Sequence, residues 1–133
     1  MSAEPIAKVR DVAYARLRAP DLDAMEAFLI DFGLVRAERT AEALYMRGAG
    51  PAPFVHVTHL GEPGFLGFAF EAASEDDLHR LAATGGFTPV EAIDGPGGGL
   101  RTTSADPHGH IVEVVFGRPA AEPLALIAIP RRA

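Results

Sequence analysis

From Val12 to Ala19 polar and apolar positions alternate, with Ala15, Leu17 and Ala19 on one face and Tyr14, Arg16 and Arg18 on the other. That period of two predicts a strand. Pro20 ends it. Asp21 is placed to N-cap a helix that carries Leu22, Met25, Phe28, Leu29 and Phe32 on one face and closes at Gly33. Three more strands are expected at Leu34 to Thr40, Ala43 to Arg47 and Phe54 to Leu60, with turn residues from Gly48 to Pro53 between the last two. The order then repeats. Phe65 to Ala72 alternates, and Ser74 with Glu75, Asp76 and Asp77 behind it opens a helix carrying Leu78, Leu81 and Ala82, which ends at Gly85. Strands at Thr88 to Ile93, Leu100 to Ser104 and His110 to Phe116 follow, the last two joined by a turn over Ala105 to Gly109.

Matching landmarks recur at nearly constant spacing. Tyr14 and Phe65 open corresponding strands (65−14=51), Asp21 and Ser74 cap corresponding helices (74−21=53), and Gly33 and Gly85 end them (85−33=52). The expected fold class is therefore α+β, with two βαβββ modules over residues 12–60 and 65–116. Their helices cover only one sheet face each, so the mixed, curved sheets are expected to enclose a cavity for a small molecule. Residues 1–117 form one expected domain. The Pro- and Ala-rich remainder, 118–133, is expected to be a linker or docking arm, the arm being favoured by the apolar stretch Leu124 to Ile129.

Composition narrows the chemistry. At 133 residues, 48% hydrophobic and 23% charged, the chain can bury a core without staples. It has no cysteine, so disulfides, thiolate metal sites and a cysteine nucleophile are excluded. No apolar run reaches membrane-spanning length and the acidic start lacks a signal-peptide pattern, which gives a cytoplasmic expectation with no membrane partner. The net charge of −6 and scattered arginines argue against a nucleic-acid partner and favour, if anything, cationic ligands.

The run Val12 to Gly33, the segment Phe65 to Leu78 and DPHGHIVEV from Asp106 to Val114 resemble the vicinal oxygen chelate superfamily. That superfamily includes glyoxalases, extradiol dioxygenases, fosfomycin-resistance enzymes and bleomycin resistance proteins. The resemblance covers about the first 117 residues. In catalytic members a His on the first strand, a His on its counterpart in the second half and a Glu on the last strand hold a divalent metal. Carried onto this chain, those positions are Tyr14, Phe65 and Glu113, so the resemblance implies the fold together with a metal site from which both histidines have gone.

Among the individual residues, alternation puts Glu113 with Ile111 and Val115 on the cavity face, and Arg16 on the first strand is its expected ion-pair partner. His56 and His59, three apart, point to opposite faces, with His56 the expected cavity residue because it shares a face with Thr58. Tyr14, Tyr45 and Phe65 could line an aromatic pocket, Gly67 and Ala69 leaving room beside Phe65, whereas Phe54 is expected to be plain core. His79 is expected in solvent, and His108 and His110 in a structural turn. GPGGG from Gly95 to Gly99 is expected to be a mobile hairpin or gating loop, since no helix follows it to make a phosphate cradle.

The leading expectation is a domain that binds an aromatic or apolar small molecule through Tyr14, Arg16, His56, Phe65 and Glu113 without a cofactor. It could stand alone or be the metal-free first domain of a larger protein. The alternative is a dioxygenase or glyoxalase-type lyase holding Fe, Mn or Zn through Glu113 and His56. A homodimer is expected in either case, because the modules leave sheet edges to cover.

Overall fold

The computed structural model describes residues 7–121. The chain runs β1 (Val9–Ala19), α1 (Leu22–Asp31), β2 (Val35–Arg39), β3 (Ala43–Arg47), β4 (His56–Leu60), β5 (Gly64–Ala72), α2 (Glu75–Ala82), β6 (Glu91–Ala92), β7 (Leu100–Ala105) and β8 (Ile111–Phe116). Both βαβββ modules are present, and together they make one curved, unclosed sheet with strand order β2-β3-β4-β1-β5-β8-β7-β6. The sheet is mixed. β1 runs parallel to β4 and β5 parallel to β8, whereas the central β1–β5 seam and the outer pairs are antiparallel.

The local signals explain the elements. The Asp21 carboxylate accepts from the Ala24 amide at 3.0 Å and Ser74 accepts from the Asp77 amide, so each helix starts where a side chain satisfies an exposed donor. Gly33 (φ 96°) and Gly85 (φ 83°) take the left-handed conformation that ends each helix. β6 is shorter than expected, because Pro89 offers no amide to the ladder and pairing is confined to Glu91 and Ala92.

Apolar residues gather in three places. Leu22 and Leu29 of α1 pack on Leu44 and Met46, and Leu78 of α2 packs on Ala72 and Val114. Both of these clusters lie on the helix-covered face. The third, Ala13, Tyr14, Phe54, Val57, Ala69 and Val115, with Tyr45 and Ile93 against it, fills one end of the opposite, concave face. The inward face of α1 differs from the expected one. Phe28 (56% exposed) and Phe32 (72%) stack on each other outside, while Glu26 turns inward and receives Arg36 and Arg39 at 2.8 Å.

Among the described residues no helix is long and apolar enough to cross a membrane. Arg118 and Ala121 pack back onto the domain, through bonds to the Phe54 and Pro51 carbonyls. The stretch Leu124 to Ile129, expected to be an arm, lies outside the described residues.

Candidate functional site

The central seam places the site. Tyr14 pairs with Ala69, and Arg16 pairs with Gly67. The helix caps give the offset between the halves as 74−21=53, and that offset turns the first pair into the second (14+53=67 and 16+53=69). Gly67, and not Phe65 as the 51-residue spacing predicts, is thus the counterpart of Tyr14, and Ala69 that of Arg16. Along the parallel neighbours, Arg16 lies beside Val57 and Ala69 beside Glu113, so the counterpart of Glu113 is Val57.

These positions meet on the concave face. Glu113 is 2% exposed. Its Oε1 accepts from the Tyr14 hydroxyl at 2.8 Å and from Arg16 Nη2 at 3.1 Å, and its Oε2 accepts from Arg16 Nε at 2.8 Å. Arg16 binds the carboxylate in a two-pronged fork, the geometry that gives Arg–carboxylate pairs their strength and direction. Its Nη1 also donates to His59 Nε2 at 2.6 Å. Arg16 is therefore paired with Glu113, as alternation along the two strands predicts.

Each ionisable group is tuned by this contact. Burial, and then the neighbouring Glu113 charge, push the Tyr14 hydroxyl up to about 12, so it remains a proton donor at neutral pH. Burial works against the charged form of Arg16, but hydrogen bonding to Glu113 and the charge of that carboxylate outweigh it and raise the guanidinium. Burial, and then the Arg16 charge, lower His59. A neutral His59 is the form whose Nε2 can accept from Arg16, with the proton on Nδ1.

Around this pair opens a cavity of about 510 Å³ lined by Arg16, Arg18, His59, Leu66, Glu91, Arg101, Thr103, Ile111 and Glu113. Two sequence expectations are corrected here. His59, not His56, faces the cavity: His56 and Thr58 look toward the α1 side, where they pair with Met46 and Leu44, and His56 Nε2 lies 2.6 Å from Thr58 Oγ1. A metal shared by Glu113 and His56 would have to reach through the sheet. Phe65 is also outside. A register shift between Arg16 and Leu17 leaves Leu66 as an extra residue in β5, which turns Leu66 inward and Phe65 outward against Phe68 and His110.

The remaining candidates have structural settings. Phe54 is core, as expected, and Tyr14 and Tyr45 pack with it at one end of the bowl instead of forming an open aromatic wall. The Gly95–Gly99 loop closes over that end, where a side chain at Gly97 would lie 2.7 Å from the Phe54 ring. Arg118 stacks on both Tyr14 and Phe54, with its guanidinium 5.4 and 5.3 Å from the ring centres. Asp106 accepts the His108 and His110 amides at 2.8 Å, which builds the expected turn. His79 is exposed beside Glu75. Sequence reasoning missed His59, Arg18, Leu66 and Arg101; Arg101 was discoverable by alternation along β7, which puts it on the same face as Thr103, the residue that pairs with Glu113.

The donor set does not fit a divalent metal. Both Glu113 oxygens are taken by a guanidinium and a phenol, the counterpart of Tyr14 has no side chain, and a Cβ at Gly67 would lie 1.8 Å from the Ile111 carbonyl oxygen. Among the described residues no three His, Asp or Glu side chains cluster as a metal-holding group.

No sequence model of a known family matches the chain, and no curated protein matches it in sequence. Solved structures do match. The Mn(II)-bound glyoxalase from Novosphingobium aromaticivorans superposes with a TM-score of 0.80 at 22% identity, over 92% of this chain and 44% of that one. Homoprotocatechuate 2,3-dioxygenase from Brevibacterium fuscum, in complex with 3,4-dihydroxyphenylacetate, superposes with a TM-score of 0.73 at 24% identity, over 92% and 41%. The chain therefore has the vicinal oxygen chelate fold and spans less than half the length of the structures it matches.

Proposed function

We propose that this vicinal oxygen chelate fold serves as a small-molecule-binding domain whose concave site works without the metal of its structural neighbours. The observation that carries the reading is the fork of Arg16 on both oxygens of Glu113 at 2.8 and 3.1 Å. A guanidinium stands where a metal would need lone pairs, and it already neutralises the carboxylate. The ligand enters the 510 Å³ cavity, rests its apolar part on Leu66 and Ile111, and meets Arg16, His59 and Thr103 as polar partners. The Tyr14 hydroxyl lies behind Glu113 and fixes it in place. Arg16 holds its charge at every physiological pH, so the site has a constant positive centre instead of a titrating one. The open sheet edges, β2 and β6, support the expectation of a homodimer.

A metal-dependent lyase or dioxygenase reading has one observation in its favour: Glu113 and His59, both potential ligands, converge on the same guanidinium. It requires Arg16 to leave. The test is metal content of protein purified without chelator, followed by titration of Mn²⁺, Fe²⁺ and Zn²⁺ into wild type and Glu113→Gln. The binding-domain reading expects metal at background and no saturable uptake in either protein. Stoichiometric metal in wild type that disappears in Glu113→Gln would overturn it in favour of the enzyme.

A further inference from the structure

Although the whole chain carries a net charge of −6, the cavity does not share that sign. Arg16, Arg18 and Arg101 face Glu91 and Glu113 across it, three positive charges against two negative, and His59 is held neutral. Nor are the charges equally available. Glu113 is satisfied by Tyr14 and Arg16, so an entering cation finds no open carboxylate at the base. Arg101 reaches Glu91 at 2.9 Å and Glu113 at 3.9 Å, and its closer partner is 54% exposed, a weak surface pairing that a ligand can replace. Arg18 has no hydrogen-bond or ion-pair partner among the described residues. Its side chain lies along the β4–β5 turn, where a Cβ at Gly61 or Gly64 would come within 3.3 or 3.5 Å of it. Those glycines leave the arginine a track beside the cavity.

We propose that the ligand is a small carboxylate, its acid group held by Arg18 and Arg101 and its apolar body laid on Leu66 and Ile111. This inference rests on the binding-domain reading above and adds the sign and type of charge. Planar guanidinium forks match a carboxylate in shape. The single net positive charge balances a monoanion and leaves a phosphate dianion uncompensated. The one glycine-rich run, Gly95–Gly99, packs on Phe54 at the other end of the bowl and offers this cavity no nest of amides for a phosphate. On an acidic protein a positive pocket also selects by contrast, since anions are repelled elsewhere and drawn in here.

The test uses benzoate, benzamide and benzamidinium, which share one shape and carry charges of opposite sign or none, together with inorganic phosphate. Each is titrated into the full chain at low salt and followed through the backbone amide resonances of the cavity strands. Benzoate is expected to bind about tenfold tighter than benzamide, a factor worth about 1.4 kcal/mol, with benzamidinium weakest. In the Arg18→Gln/Arg101→Gln protein the benzoate preference is expected to vanish, so that benzoate and benzamide bind with the same affinity. Both arginines are at the rim, and unaltered amide resonances elsewhere check the fold of the variant. Equal affinity for benzoate and benzamide, or preference for benzamidinium, would overturn the carboxylate inference and leave the binding-domain reading in place. Phosphate displacing benzoate at lower concentration would reassign the anion. Failure of all four probes to move the cavity resonances would remove the binding-domain reading and this inference together.

Discussion

The two halves of the molecule share a backbone frame and differ in what they hang on it. At one pair of equivalent positions the first half carries Tyr14 and Arg16, and the second carries Gly67 and Ala69. On the flanking parallel strands the order is reversed: Val57 in the first half, Glu113 in the second. One module thus supplies a cation and a phenol, the other a carboxylate and the empty space that receives them. The difference teaches that the site is a contact between modules, complete only when both are folded, so that its electrostatics also bind the halves together.

The largest effect should come from breaking this division at its charged end. Arg16→Met leaves Glu113, only 2% exposed, as a buried charge whose remaining counter-ion is Arg101 at 3.9 Å, and a loss of about 3 kcal/mol is expected in urea unfolding. Arg16→Met combined with Glu113→Gln removes both charges while keeping an acceptor for Tyr14, and should cost less than half as much. If the double variant is no better than the single, the pair is not what holds the site.

The next effect tests the empty end. Gly67→Ala would set a methyl 1.8 Å from the Ile111 carbonyl oxygen, so β5 and β8 must part, at a cost of about 2–3 kcal/mol. A cost below about 0.5 kcal/mol would mean that the second half tolerates a side chain opposite Arg16, and the asymmetry argued above would be incidental. Tyr14→Phe is milder. It takes one donor from Glu113 while Arg16 remains, and about 1–2 kcal/mol is expected. In wild type the tyrosine absorbance should show one phenol titrating near 12, as burial beside Glu113 dictates, and that step should be missing from the variant.

Much of this was legible in the sequence because local chemistry and global fold agree there. Asp21 and Ser74 cap helices for the reason any short oxygen side chain does, and plain alternation along β1 and β8 brings Arg16 and Glu113 to one face. What failed, failed by parity. A strand places its side chains with period two, so one extra residue at Leu66 exchanged the faces of Phe65 and Leu66. Sequence carries no mark of that bulge beyond the glycine beside it. His56 and His59 were correctly assigned to opposite faces, but Thr58 suggested a polar cavity when it is a fully buried residue on the helix side. On α1 the apolar count favoured Phe28 and Phe32, yet Glu26 turns in because Arg36 and Arg39 on β2 reach over to neutralise it. Pairings across distant elements are invisible to a count made along one of them.

The smallest effect concerns His59 and sharpens the comparison by pH. Facing it are Arg16, Arg18 and Arg101 on one side of the charge balance and Glu113 and Glu91 on the other. Burial first, and then Arg16, lower its folded-state pKa, with Glu113 pulling weakly the other way. Its pKa in the unfolded chain is about 6.5, so below that value the unfolded state takes up the proton more readily than the folded one. Stability attributable to His59 is therefore complete above about pH 6.5 and is lost as pH falls toward the lower folded value. His56, also lowered by burial, adds in the same direction from the other face of β4. The expected loss on going from pH 7.5 to 5.5 is less than about 1 kcal/mol, for a half-buried imidazole beside solvent. His59→Gln, which can still accept from Arg16, should flatten that part of the profile, and His56→Gln the remainder. A profile that His59→Gln leaves unchanged would mean that the imidazole takes its proton beside Arg16 without penalty, and the guanidinium would then have to be turned away from it.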